Sequence, residues 1–150
     1  MRKKAIYAGA ATLAAITVTS ALAAPAAPTR QAATMKLTAI LTVNQEIPAP
    51  KGARGSGTFT ATVSGRTIKF RLNSKGLTGA AGAAHIHVAL AGKAMPAPAV
   101  TLCGPCKSGQ TGTVTATAAV LKKILGGGTY VNVHTAKNAA GEIRGQIASG

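Results

Sequence analysis

Apolar and polar residues alternate one by one along several short stretches of this chain. Leu37, Ala39, Leu41 and Val43 are interleaved with Lys36, Thr38, Ile40 and Thr42. Side chains of a strand point to opposite faces in turn, so this stretch predicts a strand with one buried face. Phe59, Ala61 and Val63 repeat the pattern, and beyond Ser64-Gly65 it resumes in Ile68, Phe70 and Leu72 against Lys69 and Arg71, which predicts a hairpin. Further strands are expected at Ala84 to Leu90, Ala99 to Leu102, Thr113 to Ala118, Thr129 to Thr135 and Glu142 to Ile147, each bounded by Gly, Pro or Asn. The rhythm breaks once. Thr117 caps a predicted short helix whose Val120, Leu121, Ile124 and Leu125 face inward and which Gly126-Gly127-Gly128 ends. The expected fold is all-β, an antiparallel Greek-key sandwich of about eight strands with one short crossover helix.

Ahead of this domain the pattern changes. Arg2-Lys3-Lys4 precede an uncharged run from Ala5 to about Leu22, and Ala21-Leu22-Ala23 supplies the small residues that a signal peptidase accepts. Residues 1–23 are therefore expected to be a signal peptide cleaved after Ala23 or Ala24, and the protein to be secreted or periplasmic. The rival is an uncleaved membrane anchor, for which this Ala- and Thr-rich stretch is short and weakly apolar. Residues 24–34, with Pro25 and Pro28 and no apolar face, read as a flexible linker. Residues 35–150 suffice for one domain.

Charge narrows the partners. The chain has 17 Lys and Arg against 2 Asp and Glu, and loss of Arg2, Lys3 and Lys4 would take the net charge from +15 to +12. Such a surface attracts anions. The basic residues are scattered, apart from Lys122-Lys123, and aromatic residues that stack on bases are few, which argues against nucleic acid. Anionic lipid headgroups, acidic polysaccharide or a small anion fit better, as does a plain solvated basic surface. With Glu46 and Glu142 the only carboxylates, a paired-carboxylate hydrolase has no material to work with. Neither a phosphate-binding Gly loop nor a nucleophile-elbow serine is present.

Candidate chemistry rests on three histidines. In His85-Ile86-His87 both imidazoles share a face, opposite Ile86 and Val88. In Tyr130-Val131-Asn132-Val133-His134 the valines take the core side, so His134 lies opposite. Ile143 and Ile147 likewise place Glu142, Arg144 and Gln146 on the outer face, where a surface Glu142–Arg144 pair would contribute about 0–1 kcal/mol. Should the strands meet, His85, His87 and His134 form a cluster suited to copper or zinc. The plainer reading is three polar, solvated outer-face residues. Cys103-Gly104-Pro105-Cys106 has the spacing of a redox pair but lacks the strand-then-helix setting such pairs use. A loop-pinning disulfide is the simplest reading in an exported protein, with a metal-ligating role, alongside Met95, or a redox role left open.

Asn44-Gln45-Glu46-Ile47-Pro48, Ala84-His85-Ile86-His87, Tyr130-Val131-Asn132-Val133-His134-Thr135 and Gly141-Glu142-Ile143-Arg144-Gly145-Gln146-Ile147, in that order, resemble the chordin-type (CHRD) domain over roughly Met35 to Ile147. The resemblance implies an extracellular or exported protein, usually without assigned enzymatic activity. More loosely, His-x-His, a later strand histidine and an arginine after a glycine turn are similar to Cu/Zn superoxide dismutase. That likeness implies copper at His85, His87 and His134 and an anion-attracting Arg144. The chain has no Asp and no fourth His, so the zinc site of that enzyme has no ligands here. The reading is an exported binding or structural module rather than an enzyme. Its alternatives are a copper-binding protein, for metal handling or weak superoxide chemistry, and an adhesion or matrix protein that binds acidic polymers.

Overall fold

Lys36, Thr38 and Ile40 stand in solvent while Leu37, Ala39 and Leu41 are sealed, so the first alternating stretch is a strand with one buried face. The computed structural model describes residues 33–150; the expected signal peptide, and the linker up to residue 32, lie outside the described residues. The strands are β1 (Met35–Thr42), β2 (Ser56–Ser64), β3 (Thr67–Lys75), β4 (Ala81–His87), β5 (Val100–Cys103), β6 (Gln110–Thr115), β7 (Tyr130–Thr135), β8 (Ile143–Gln146) and β9 (Ala148–Ser149). A 3-10 turn at Val43–Gln45 follows β1, and helix α1 (Ala118–Leu125) joins β6 to β7.

Hydrogen-bonded neighbours run β5-β4-β7-β8-β1-β2-β3-β6, with β9 added against β1, and every pairing is antiparallel. The free edges β5 and β6 pack together without a ladder, so β4, β5 and β6 follow one another and β6 returns beside β3. This is a Greek key in a nearly closed barrel. The join on the other side is slight, a single pair between Thr42 and Arg144. Gly145 permits it, because any side chain there would run into the Ile40 carbonyl.

Phe59 and Phe70 stack in the core with ring centroids 6.2 Å apart, across the β2–β3 ladder that runs from Ser56↔Lys75 to Ser64↔Thr67. Helix α1 forms as its pattern predicts. The Thr117 hydroxyl accepts from the Val120 amide at 3.2 Å, Ile124 is buried, and Val120, Leu121 and Leu125 pack against the core. It carries the chain from one edge of the sheet to its interior, the expected crossover.

Four expectations need correcting. The fourth strand begins at Ala81 and ends at His87 rather than running from Ala84 to Leu90. Its Ala- and Gly-rich start offers no hydrophobic contrast, and Leu90 accepts the Lys93 amide in a turn. The sixth strand ends at Thr115, because the residues after it start the helix. The chain beyond Gln146 bends at Ile147, whose amide bonds to the Thr129 carbonyl, and adds β9, a ninth strand. Finally, the outer face of β4, β7 and β8 is not a surface: His87, Asn132, Glu142 and Arg144 are buried there. Residues 88–99 and 136–142 fold over it, and neither stretch carries the periodic pattern that reveals an element.

Candidate metal centre

Strands β4 and β7 are direct neighbours, with His85 opposite Asn132 and His87 opposite Tyr130. Each histidine side chain thus enters the same layer beneath the covering loops, and the structure brings His85, His87 and His134 together. One ring nitrogen from each lies within 4.8 Å of the others.

The proton positions follow from the partners. His134 Nδ1 lies 3.0 Å from the Ala139 carbonyl, which can only accept, so Nδ1 carries the proton and Nε2 is bare. His85 Nδ1 sits 3.0 Å from that Nε2 and must donate to it. This leaves His134 with a lone pair aimed into the cluster and its far nitrogen anchored to the backbone, the arrangement that orients metal-ligating imidazoles. His87 is 3% exposed and neither ring nitrogen has a hydrogen-bond partner. Backbone groups of Met95 and Ala97 come near its ring without completing a hydrogen bond. A buried polar group left this way costs about 1–3 kcal/mol. Burial holds all three histidines below their ordinary pKa, with mutual repulsion adding at His87 and His134. The cluster is therefore neutral near pH 7, the form that binds metals.

What holds the layer in place is a buried polar frame. Glu142, expected on the surface, is fully buried and does not pair with Arg144. Its carboxylate accepts from the Thr78 amide and hydroxyl and the Thr135 hydroxyl, each at 2.6 Å, and from Asn138 Nδ2 at 2.9 Å. Burial pushes its pKa up, but these hydrogen bonds outweigh that and leave it below the usual value. They fix residues 136–141, and with them the carbonyl that orients His134. Gly141 lies in this loop at φ +142°, where a Cβ would meet Asn132 Oδ1 at 2.5 Å and Glu46 Oε1 at 2.6 Å.

Arg144 is 2% exposed. Its guanidinium lies 3.4 Å from the Tyr130 ring centroid and donates to the Lys93 carbonyl at 2.7 Å. His87 stacks on Tyr130 at 5.0 Å between centroids, and the Tyr130 hydroxyl donates to the Met95 carbonyl at 3.1 Å. Arg144 and Tyr130 thus pin the loop that covers His87. Arg144 and His134 also line one cavity of about 330 Å³, shared with Glu46, Asn132 and Met95. Within it Glu46 Oε1 and Asn132 Oδ1 have no hydrogen-bond partner, and burial raises the Glu46 pKa to about 7 despite Arg144 nearby.

Sequence reasoning missed Tyr130 and Asn132, although they share the parity that placed His134. Glu46 stands out in the sequence as one of two carboxylates and as part of Asn44–Pro48, with no role at the histidines. Thr78 and Asn138 carried no signal. Cys103 and Cys106 are joined to each other, with sulfurs 2.11 Å apart. As a disulfide they offer no thiolate to a metal.

The fold and this layer define a small antiparallel β module carrying a three-histidine cluster in which His87 is buried and His85 and His134 are half-buried. The chain matches the CHRD domain over residues 37–147 and belongs to that family. No curated protein and no solved structure matches it. Among the described residues no helix is long and apolar enough to cross a membrane.

Proposed function

We propose that this CHRD domain is an exported copper-binding module, in which His85 Nδ1, His134 Nε2 and one ring nitrogen of His87 hold a single ion. The observation that carries the reading is the pairing of a preset His85–His134 contact with an unpartnered, buried imidazole at His87. A metal would replace the 3.0 Å hydrogen bond, with the His85 proton moving to Nε2, and would satisfy His87 in the same step. Copper is favoured over zinc because structural zinc sites close with four ligands, often thiolates, whereas among the described residues no carboxylate or thiolate joins the three imidazoles within ligand distance. Copper also heads the divalent affinity order. The disulfide supports an oxidising compartment and hence export.

Titration of the metal-stripped full chain with Cu(II), with Cu(I) under reductant and with Zn(II), against a competing chelator, tests this. One copper per chain is expected, bound more tightly than zinc. His87→Ala or His134→Ala should weaken it by more than the roughly 10–100-fold that loss of a supporting partner alone costs. Wild-type binding no tighter than that of a His85→Ala/His87→Ala variant would end the proposal.

Superoxide chemistry at such a copper is a second reading, favoured by Arg144 and His134 lining one cavity. It requires that the copper-loaded chain consume superoxide and that Arg144→Gln slow it.

A further inference from the structure

Only Glu46 and Glu142 carry carboxylate side chains, and both are buried. Every exposed lysine and arginine among the described residues therefore lacks a carboxylate side chain to pair with. Surfaces ordinarily intersperse both signs, and a single-sign field draws in a partner of the opposite charge. The cations are not evenly laid out. On the outer face of β1, β2, β3 and β6, the ladders align Lys36, Thr62, Lys69 and Thr113 in one cross-strand row and Thr38, Thr60, Arg71 and Thr111 in the next. All eight are exposed. Neighbouring strands stand about 4.8 Å apart and the rows about 7 Å apart, so hydroxyls flank each cation of β3 on both sides.

We infer that this face binds an acidic polysaccharide lying across the strands. Its carboxylates or sulfates would meet Lys69, Arg71 and Lys36, and its hydroxyls would exchange hydrogen bonds with the flanking threonines. A nucleic acid fits less well, because Phe59, Phe70 and Tyr130 are all buried and the described residues present no Phe, Tyr or Trp ring to a base. A lipid surface fits less well because Ile40 is the one exposed large apolar side chain on the face. The face lies on the opposite half of the barrel from the histidines, so the inference stands apart from the copper reading.

Binding of the metal-free full chain to polygalacturonate, measured by calorimetry between about 50 mM and 200 mM salt, tests it. Two double variants remove the same charge: Lys69→Ser/Arg71→Ser on the face, and Lys122→Ser/Lys123→Ser on α1, where both lysines are exposed. The face variant should weaken binding about tenfold and the helix variant far less, with the His85→Ala/His87→Ala chain binding as wild type. Equal weakening by both charge variants would show diffuse attraction and overturn the inference. Failure to bind polygalacturonate, or tighter binding of phosphatidylglycerol vesicles or poly(dT) through Lys69 and Arg71, would overturn it too.

Discussion

Glu46 is 7% exposed, and its pKa near 7 lies well above the ordinary 4.5. The folded protein therefore holds that proton more tightly than the unfolded chain. Its contribution to stability is complete below pH 4.5 and is lost as pH rises through 7, a loss of up to about 3 kcal/mol. The histidines work the other way: their folded values lie below 6.5, so their contribution is present above pH 6.5 and lost as pH falls. Glu46→Gln keeps the side chain neutral throughout and leaves the histidines alone. Urea unfolding across pH should find variant and wild type alike near pH 4 and the variant the more stable at pH 8. A difference that stays flat with pH would mean Glu46 is not a strained carboxylate. The same depressed histidine values predict that copper affinity is level above pH 7 and declines in acid, as protons compete for the ring nitrogens. A period of two suffices to place His85, His87 and His134 on one face. It could not show that Glu46, Asn132 and Arg144 are buried beside them, because parity says which face a side chain takes and nothing about what covers that face.

Strands with contrast between faces were legible and those without were not. β1, β2 and β3 alternate Leu, Phe or Ile with Thr, Lys or Arg, and their positions follow directly. β4 opens with Ala81-Gly82-Ala83-Ala84, where neither face differs from the other, and its start was misplaced. The covering loops are set by long-range hydrogen bonds rather than by local pattern: Arg144 and Tyr130 hold residues 88–99, and Glu142 holds residues 136–141. Glu142 is accordingly a positioning residue for the histidine cluster. In Glu142→Gln an NH2 replaces one accepting oxygen and faces donors from Thr78, Thr135 or Asn138. Chemical unfolding should show a loss of about 2–4 kcal/mol. Copper affinity, measured where the variant remains folded, should fall about tenfold because the Ala139 carbonyl no longer fixes the His134 proton. An unchanged affinity in the folded variant would assign Glu142 a purely structural role.

At the scale of the whole molecule the barrel closes unequally. On one side β8 meets β1 through a single ladder pair, supplemented by β9. On the other side β5 and β6 pack without pairing, and the chain between them carries the Cys103–Cys106 disulfide. That loop is anchored to β4, since the Cys106 amide donates to the Ala81 carbonyl at 3.0 Å, and to β3, since the Ser74 amide donates to the Ser108 hydroxyl at 3.1 Å. Cys106 is also part of the core. The disulfide therefore stiffens the segment that bridges the open seam, but its ring is small, and closing so short a loop removes little freedom from the unfolded chain. Chain entropy for a ring of this size predicts about 2 kcal/mol. Cys103→Ser/Cys106→Ser should lower stability by roughly that amount, with a further cost for the buried hydroxyl at position 106. Although the loop is anchored to β4, Cys106 packs in the core with Ala84 and Ile86, on the face of that strand opposite His85 and His87, so copper affinity and stoichiometry should not change. Loss of copper in the double serine variant would mean that the two sulfurs, rather than the three imidazoles alone, belong to the metal site.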